Sequence, residues 1–153
     1  MSEYLKFLEK KKKSIVQSGF DIEEIELNNN MFDFQKFIVK RALKAGKYAV
    51  FADCGLGKTL MQLEWAYQVA KHSKGRVLIL APLAVVGQTK QEGLKFGIDM
   101  TNIDIQNYEQ LDNIYCDYYS GVVLDESSIL KNFEGETKKQ IIDSFSKTPY
   151  KLA

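Results

Sequence analysis

The sequence predicts an α/β domain of three layers, a mostly parallel sheet covered by helices on both faces. Short apolar segments without polar alternation, at Tyr48 to Ala52, Arg76 to Ala81 and Gly121 to Leu124, are separated by helical stretches, the pattern of strands buried on both sides. A chain of 153 residues can bury about 70% of its unfolded surface, enough for a core without disulfides or structural metal. Its composition, 45% hydrophobic and 27% charged with two prolines, is that of a globular domain.

The elements follow in order. Ser2 to Gln17 places Leu5, Leu8, Lys12 and Ile15 on one stripe, an amphipathic N-terminal helix that Gly19 is suited to end. The run Lys10 to Lys13 reads as a solvated face, with a phosphate-backbone contact as the alternative. Asn28 to Asn30 reads as a loop. From Asp33 as N-cap, Phe34, Phe37, Ile38 and Ala42 recur at helical spacing until Gly46, a natural C-cap. The strand Tyr48 to Ala52 comes next, followed by a helix over Thr59 to Lys71, the strand Arg76 to Ala81 and a helix over Val85 to Phe96. A weaker strand at Ile103 to Gln106, a short helix near Glu109 to Ile114, the strand Gly121 to Leu124 and a helix over Glu136 to Phe145 complete the alternation. The expected organisation is a helical extension and loop over 1–30 and one α/β lobe over 31–153.

Charge and cysteine usage narrow the function classes. With 21 Lys plus Arg against 20 Asp plus Glu, the net charge is +1, so any nucleic-acid contact must be local. Cys54, Cys116 and His72 supply neither a disulfide framework nor ligands at zinc-site spacing, and a reducing cytoplasmic setting is expected. The longest apolar stretch, Val77 to Val86, is interrupted by Pro82 and falls short of the roughly 20 residues that span a bilayer, so no membrane association is expected.

Two motifs carry chemistry. Ala52-Asp53-Cys54-Gly55-Leu56-Gly57-Lys58-Thr59 follows a strand and opens a helix, and matches the P-loop pattern except that Ala52 stands where the first glycine is usual. Gly55 and Gly57 let backbone N–H groups turn inward around phosphate oxygens, and the helix aims its positive end at the same anion. Lys58 would reach the β- and γ-phosphates of ATP, and the Thr59 hydroxyl would ligate Mg²⁺. Cys54 reads as a small buried thiol, and Trp65 and Tyr67 as packing against the sheet. The second motif is Asp125-Glu126 at the end of the apolar run Val122 to Leu124. A magnesium nucleotide needs one carboxylate for the metal and another to orient the attacking water, and Asp125 and Glu126 suit these roles. Ligands of open parallel sheets bind at the carboxyl ends of the strands, so both motifs are expected at one edge.

In this order the motifs resemble the first RecA-like lobe of superfamily 2 helicases, and within them SNF2-type and related phage-encoded ATPases, over Phe32 to the C-terminus. Phe34-Gln35 looks like the family's glutamine element, in which Gln35 would read the adenine edge. Asp53 to Thr59 looks like motif I, Leu80 to Leu83 like motif Ia, and Asn107-Tyr108-Glu109-Gln110-Leu111 like the element that follows in SNF2 proteins. Asp125 to Ser128 with Leu130-Lys131-Asn132 is similar to motif II and its extension. Ser127-Ser128 departs from the family's Ala-His or Gly-His, and Thr89 stands near the place of an SNF2 tryptophan. The sequence ends at Tyr150 to Ala153, where the family continues into motif III and a second lobe with arginine fingers.

The resemblance implies a P-loop NTPase fold, Mg-ATP as cofactor, nucleic acid, DNA before RNA, as a partner along Pro82 to Lys90 and Asn107 to Glu109, and a second RecA-like lobe in cis or trans. It also implies that Tyr150 to Ala153 opens a strand between the P-loop strand and the motif II strand. The leading reading is the ATP-binding lobe of a nucleic-acid-dependent ATPase. The alternatives are a catalytically silent nucleotide- or partner-binding module and a nucleotide kinase, the last disfavoured by the water-activating Glu126.

Overall fold

The computed structural model describes residues 3, 18–49, 57–125 and 135–153. Glu3 is helical and exposed; the rest of the expected Ser2 to Gln17 helix, with Lys10 to Lys13, lies outside the described residues, as do Val50 to Leu56 and Glu126 to Glu134.

Among the described residues, five strands form one parallel sheet in the order β1-β5-β4-β2-β3. They are β1 (Lys47–Tyr48), β2 (Arg76–Ala81), β3 (Ile103–Asn107), β4 (Tyr119–Leu124) and β5 (Tyr150–Leu152). Among the described residues the sheet is accompanied by the helices α1 (Asp33–Ala45), α2 (Lys58–Ser73), α3 (Leu83–Lys95) and α4 (Gly135–Ser144). The segment expected as a short helix near Glu109 is the 3-10 helix Tyr108–Asn113. β5 lies between β1 and β4, the place the resemblance implied for it.

Side chains that alternate along buried strands divide the core into two layers. Val77 and Ile79 of β2 and Val123 of β4 pack with α1 and α2, while Leu78, Leu80 and Val122 pack on the other face with Tyr108, Leu111, Ile141 and Phe145. Helix α2 is buried nearly all round from Leu60 to Ala66, so its polar residues Gln62, Glu64 and Gln68 are enclosed rather than solvated. A buried polar group needs a partner: Gln68 donates to Glu64 at 2.8 Å and to the Glu26 carbonyl at 3.1 Å, which ties the segment before α1 to this helix.

Two expectations for α1 need correction. Phe32, not Asp33, is the N-cap, and the Phe32 N–H donates to Gln35 Oε1 at 2.8 Å. Asp33 instead occupies the first turn, where its charge suits the helix dipole. The buried face is Gln35, Val39, Ala42 and Leu43, whereas Phe34 and Phe37 are exposed. Gly19 lies against the C-terminal end of α1. The backbone of Ser18 to Phe20 donates to the carbonyls of Ala45, Lys44 and Leu43, which α1 leaves unsatisfied at its C-terminus. A Cβ on Gly19 would lie 1.7 Å from the Leu43 oxygen, so only glycine allows that approach.

At the amino edge of the sheet, Arg76 holds Asp104 through two nitrogens at 2.6 and 3.2 Å, and the Tyr119 hydroxyl donates to Asp104 at 2.8 Å. This cluster keeps the Asp104 carboxyl below the usual aspartate range, chiefly through the guanidinium hydrogen bond. It pins the starts of β2, β3 and β4 at the end opposite the predicted site.

Candidate functional site

Gly57 is the N-cap of α2 in a left-handed conformation, φ 73° and ψ 36°, which glycine adopts without penalty. A Cβ there would lie 2.1 Å from Gln35 Nε2, so the Gln35 amide lies directly against the Gly57 backbone. Gln35 is buried, and its Oε1 is fixed by the Phe32 N–H, which sets the Nε2 side toward Gly57. Lys58 and Thr59 open α2, half-buried, at the positive end of a 16-residue helix.

Asp125 follows β4 directly, and its N–H donates to the Leu80 carbonyl at 2.8 Å. The residue is 8% exposed. Its carboxylate Oδ1 accepts from Gln62 Nε2 at 3.0 Å, and its backbone carbonyl accepts from the Tyr108 hydroxyl at 2.7 Å. Gln62 lies three residues after Thr59, and residues at that spacing share a helix face. The face of α2 that begins at Thr59 is therefore the one turned to the end of β4.

A cavity of about 690 Å³ adjoins Gly57, lined among others by Phe32, Phe34, Gln35, Leu60, Glu92 and Phe96. The Phe32 and Phe34 rings are near parallel, 10° apart with centroids 6.1 Å apart, and stay 68% and 44% exposed. Exposed aromatic rings beside a buried amide, with Asn30, Glu92 and Lys95 also on the wall, give a mostly apolar slot with a few polar groups, the usual composition of a small-molecule site.

The structure thus brings Gln35, Gly57, Lys58, Thr59 and Asp125 to the carboxyl edge of the sheet. Cys54, Gly55, Leu56 and Glu126 lie outside the described residues. The segments expected to meet nucleic acid also leave this edge side by side, because Ala81 pairs with Asn107 in register. Leu83 is 65% exposed, and Ala84 and Lys90 are exposed as well. Trp65 is fully buried in the core, as expected of a packing residue, and Tyr67 packs against the same core.

Sequence reasoning missed Gln62 and the Tyr108 hydroxyl contact, along with Phe32, Glu92 and Phe96 of the cavity. Gln62 carried a signal, one of two polar residues with Glu64 in the largely apolar run Leu60 to Ala66, one turn beyond Thr59. The cavity carried none, since Glu92 and Phe96 reach it only through the packing of α3.

No protein-family model and no curated protein matches the sequence. Among solved structures the fold is similar to the UvsW helicase of bacteriophage T4, with a TM-score of 0.69 and 16% identity over 98% of this chain. A second structure of T4 UvsW gives 0.68 and 15% over 89%. The chain spans 58% and 32% of those two structures. The likeness is one of fold: a helicase-like α/β domain of RecA type. Among the described residues no helix is long and apolar enough to cross a membrane.

Proposed function

We propose that this chain is the Mg-ATP-binding lobe of a nucleic-acid-dependent ATPase, a helicase or duplex translocase whose motifs are of SNF2 type, acting in the cytoplasm on DNA. The observation that carries the reading is the meeting at one sheet edge of the Gln35 amide against Gly57 and of Asp125 against the helix that opens with Lys58 and Thr59. In this reading Gln35 reads the adenine edge, with the base in the slot beside Phe32 and Phe34. The N–H groups of Gly55 to Thr59 and the Lys58 ammonium hold the phosphates, with Cys54 and Leu56 completing the loop.

The donor set suits Mg²⁺. A threonine hydroxyl and a carboxylate are hard oxygen ligands, and the first turn of α2 and the end of β4 offer one each. Thr59 and Asp125 would hold the ion, which would supply positive charge against the negative charge of the phosphates. Glu126 is assigned the attacking water, and a second RecA-like lobe the remaining transition-state charge.

The test is equilibrium binding of a fluorescent ATP analogue and of duplex DNA to the chain. The expected result is Mg²⁺-dependent binding that ATP displaces, and weak DNA binding that falls steeply between about 50 and 200 mM salt. Failure to bind the analogue contradicts the reading. Mg-ATP binding without turnover when DNA and a second lobe are supplied would favour a silent binding module instead.

A further inference from the structure

Gln62 is 3% exposed in the second turn of α2 and donates Nε2–H to Asp125 Oδ1 at 3.0 Å. A carboxylate oxygen offers only acceptors here, so the amide must present its NH₂ to Asp125. That choice leaves Gln62 Oε1 as a buried acceptor, and it has no hydrogen-bond partner among the described residues. Buried polar side-chain atoms are rarely left so, and one beside a carboxylate at a strand end points to a ligand that brings a donor.

We propose that Gln62 is a positioning residue for a nucleotide-bound Mg²⁺. Its NH₂ holds the Asp125 carboxylate in one orientation, and its carbonyl accepts a hydrogen bond from a water in the ion's hydration shell. The inference rests on the Mg-ATP reading of the same site. Mg²⁺ keeps several of its waters when bound to proteins, and each of those waters needs an acceptor. The spacing supports the assignment. Thr59 and Gln62 lie on one face of α2, so the helix that supplies the candidate hydroxyl ligand also supplies the group that fixes the candidate carboxylate. Partners of this kind fix ligand orientation, and losing one typically weakens metal affinity by about 10- to 100-fold.

The experiment compares the full chain with Gln62→Met, which keeps the side chain's length but neither donates nor accepts as an amide. A second variant, Gln62→Ala, leaves room for water beside Asp125 and serves if the first fails to fold. The readout is the affinity for a fluorescent ATP analogue in excess Mg²⁺ divided by its affinity in EDTA. The expected result is that this ratio falls by about 10- to 100-fold, with a matching rise in the half-saturating Mg²⁺ concentration. A merely structural amide would change both affinities together and leave the ratio at the parent value, which would overturn the inference. A parent chain that shows no Mg²⁺-dependent binding would overturn the Mg-ATP reading and this inference with it. A parent that binds, with variants of equal ratio, would overturn this inference alone.

Discussion

The Tyr108 hydroxyl donates a 2.7 Å hydrogen bond to the backbone carbonyl of Asp125. Tyr108 opens the 3-10 helix after β3, and Asp125 directly follows β4, so one bond joins two segments that leave the sheet at the same edge. Together with the Gln62 amide on the carboxylate, it holds Asp125 by backbone and side chain at once. Tyr108→Phe removes the donor and leaves a buried carbonyl short of it, which costs about 1 to 3 kcal/mol. Urea unfolding should show the midpoint falling with an unchanged m value. A loss below about 0.5 kcal/mol would mean that water takes over the contact.

Gln35 is expected to select the base. Its amide offers a donor and an acceptor, the complement of the adenine edge. Gln35→Ala should bring ATP and GTP affinities together, chiefly by weakening ATP. Competition of the two nucleotides against the fluorescent analogue measures this, and a preserved preference for ATP would remove Gln35 from the role.

Gly57→Ala should be costly for two reasons that can be separated. The left-handed conformation costs a side-chain-bearing residue about 1 to 2 kcal/mol, and the new Cβ meets Gln35 Nε2 at 2.1 Å. Combining it with Gln35→Ala removes the clash but not the backbone strain, so the double variant should be more stable than the summed single losses imply. Strict additivity in thermal or urea unfolding would show that the two residues do not press on one another.

Glu64 gives a pH-dependent prediction. Burial raises its pKa, against the opposing effects of the hydrogen bonds from Gln68 and Asn28 and of Lys71. A folded-state pKa above the unfolded one means that the folded state holds its proton more tightly. Stability is then lost as pH rises from the unfolded glutamate value, about 4.3, through the raised folded value. Glu64→Gln keeps an acceptor for Gln68 and removes the charge. Its melting temperature should match the parent near pH 4 and exceed it at pH 8, and a variant less stable than the parent at pH 8 would contradict the assignment.

The limits of reading this fold from sequence are visible in single elements. The strand Arg76 to Ala81 coincides with β2, because an uninterrupted apolar run between two helices has no other place than a buried parallel strand. Helix α1 was legible in extent but not in orientation. Its aromatic residues suggested one stripe, yet the helix packs on α2 through Gln35, Val39, Ala42 and Leu43 and leaves Phe34 and Phe37 outward. Hydrophobicity alone could not foresee a buried glutamine, since its burial depends on the Phe32 N–H and on Gly57 beyond the next strand. Similarly, the motif Ala52 to Thr59 was legible by its spacing, and Asp125 by the apolar run it ends. The bond from Gln62 to Asp125 spans 63 residues and exists only once α2 lies on β4.

The edge formed by Gly57, Lys58, Thr59 and Asp125 is the proposed Mg-ATP site. Lys58 supplies the side-chain cation that opens α2, and removing it should abolish phosphate binding while leaving the core untouched, since Lys58 is only half-buried. The most direct measurement is isothermal titration of Mg-ATP into the parent chain and into Lys58→Ala, with both shown folded by circular dichroism. The expected result is saturable one-to-one binding by the parent and none by the folded variant. Equal binding by the two chains, or no binding by the parent, would contradict it.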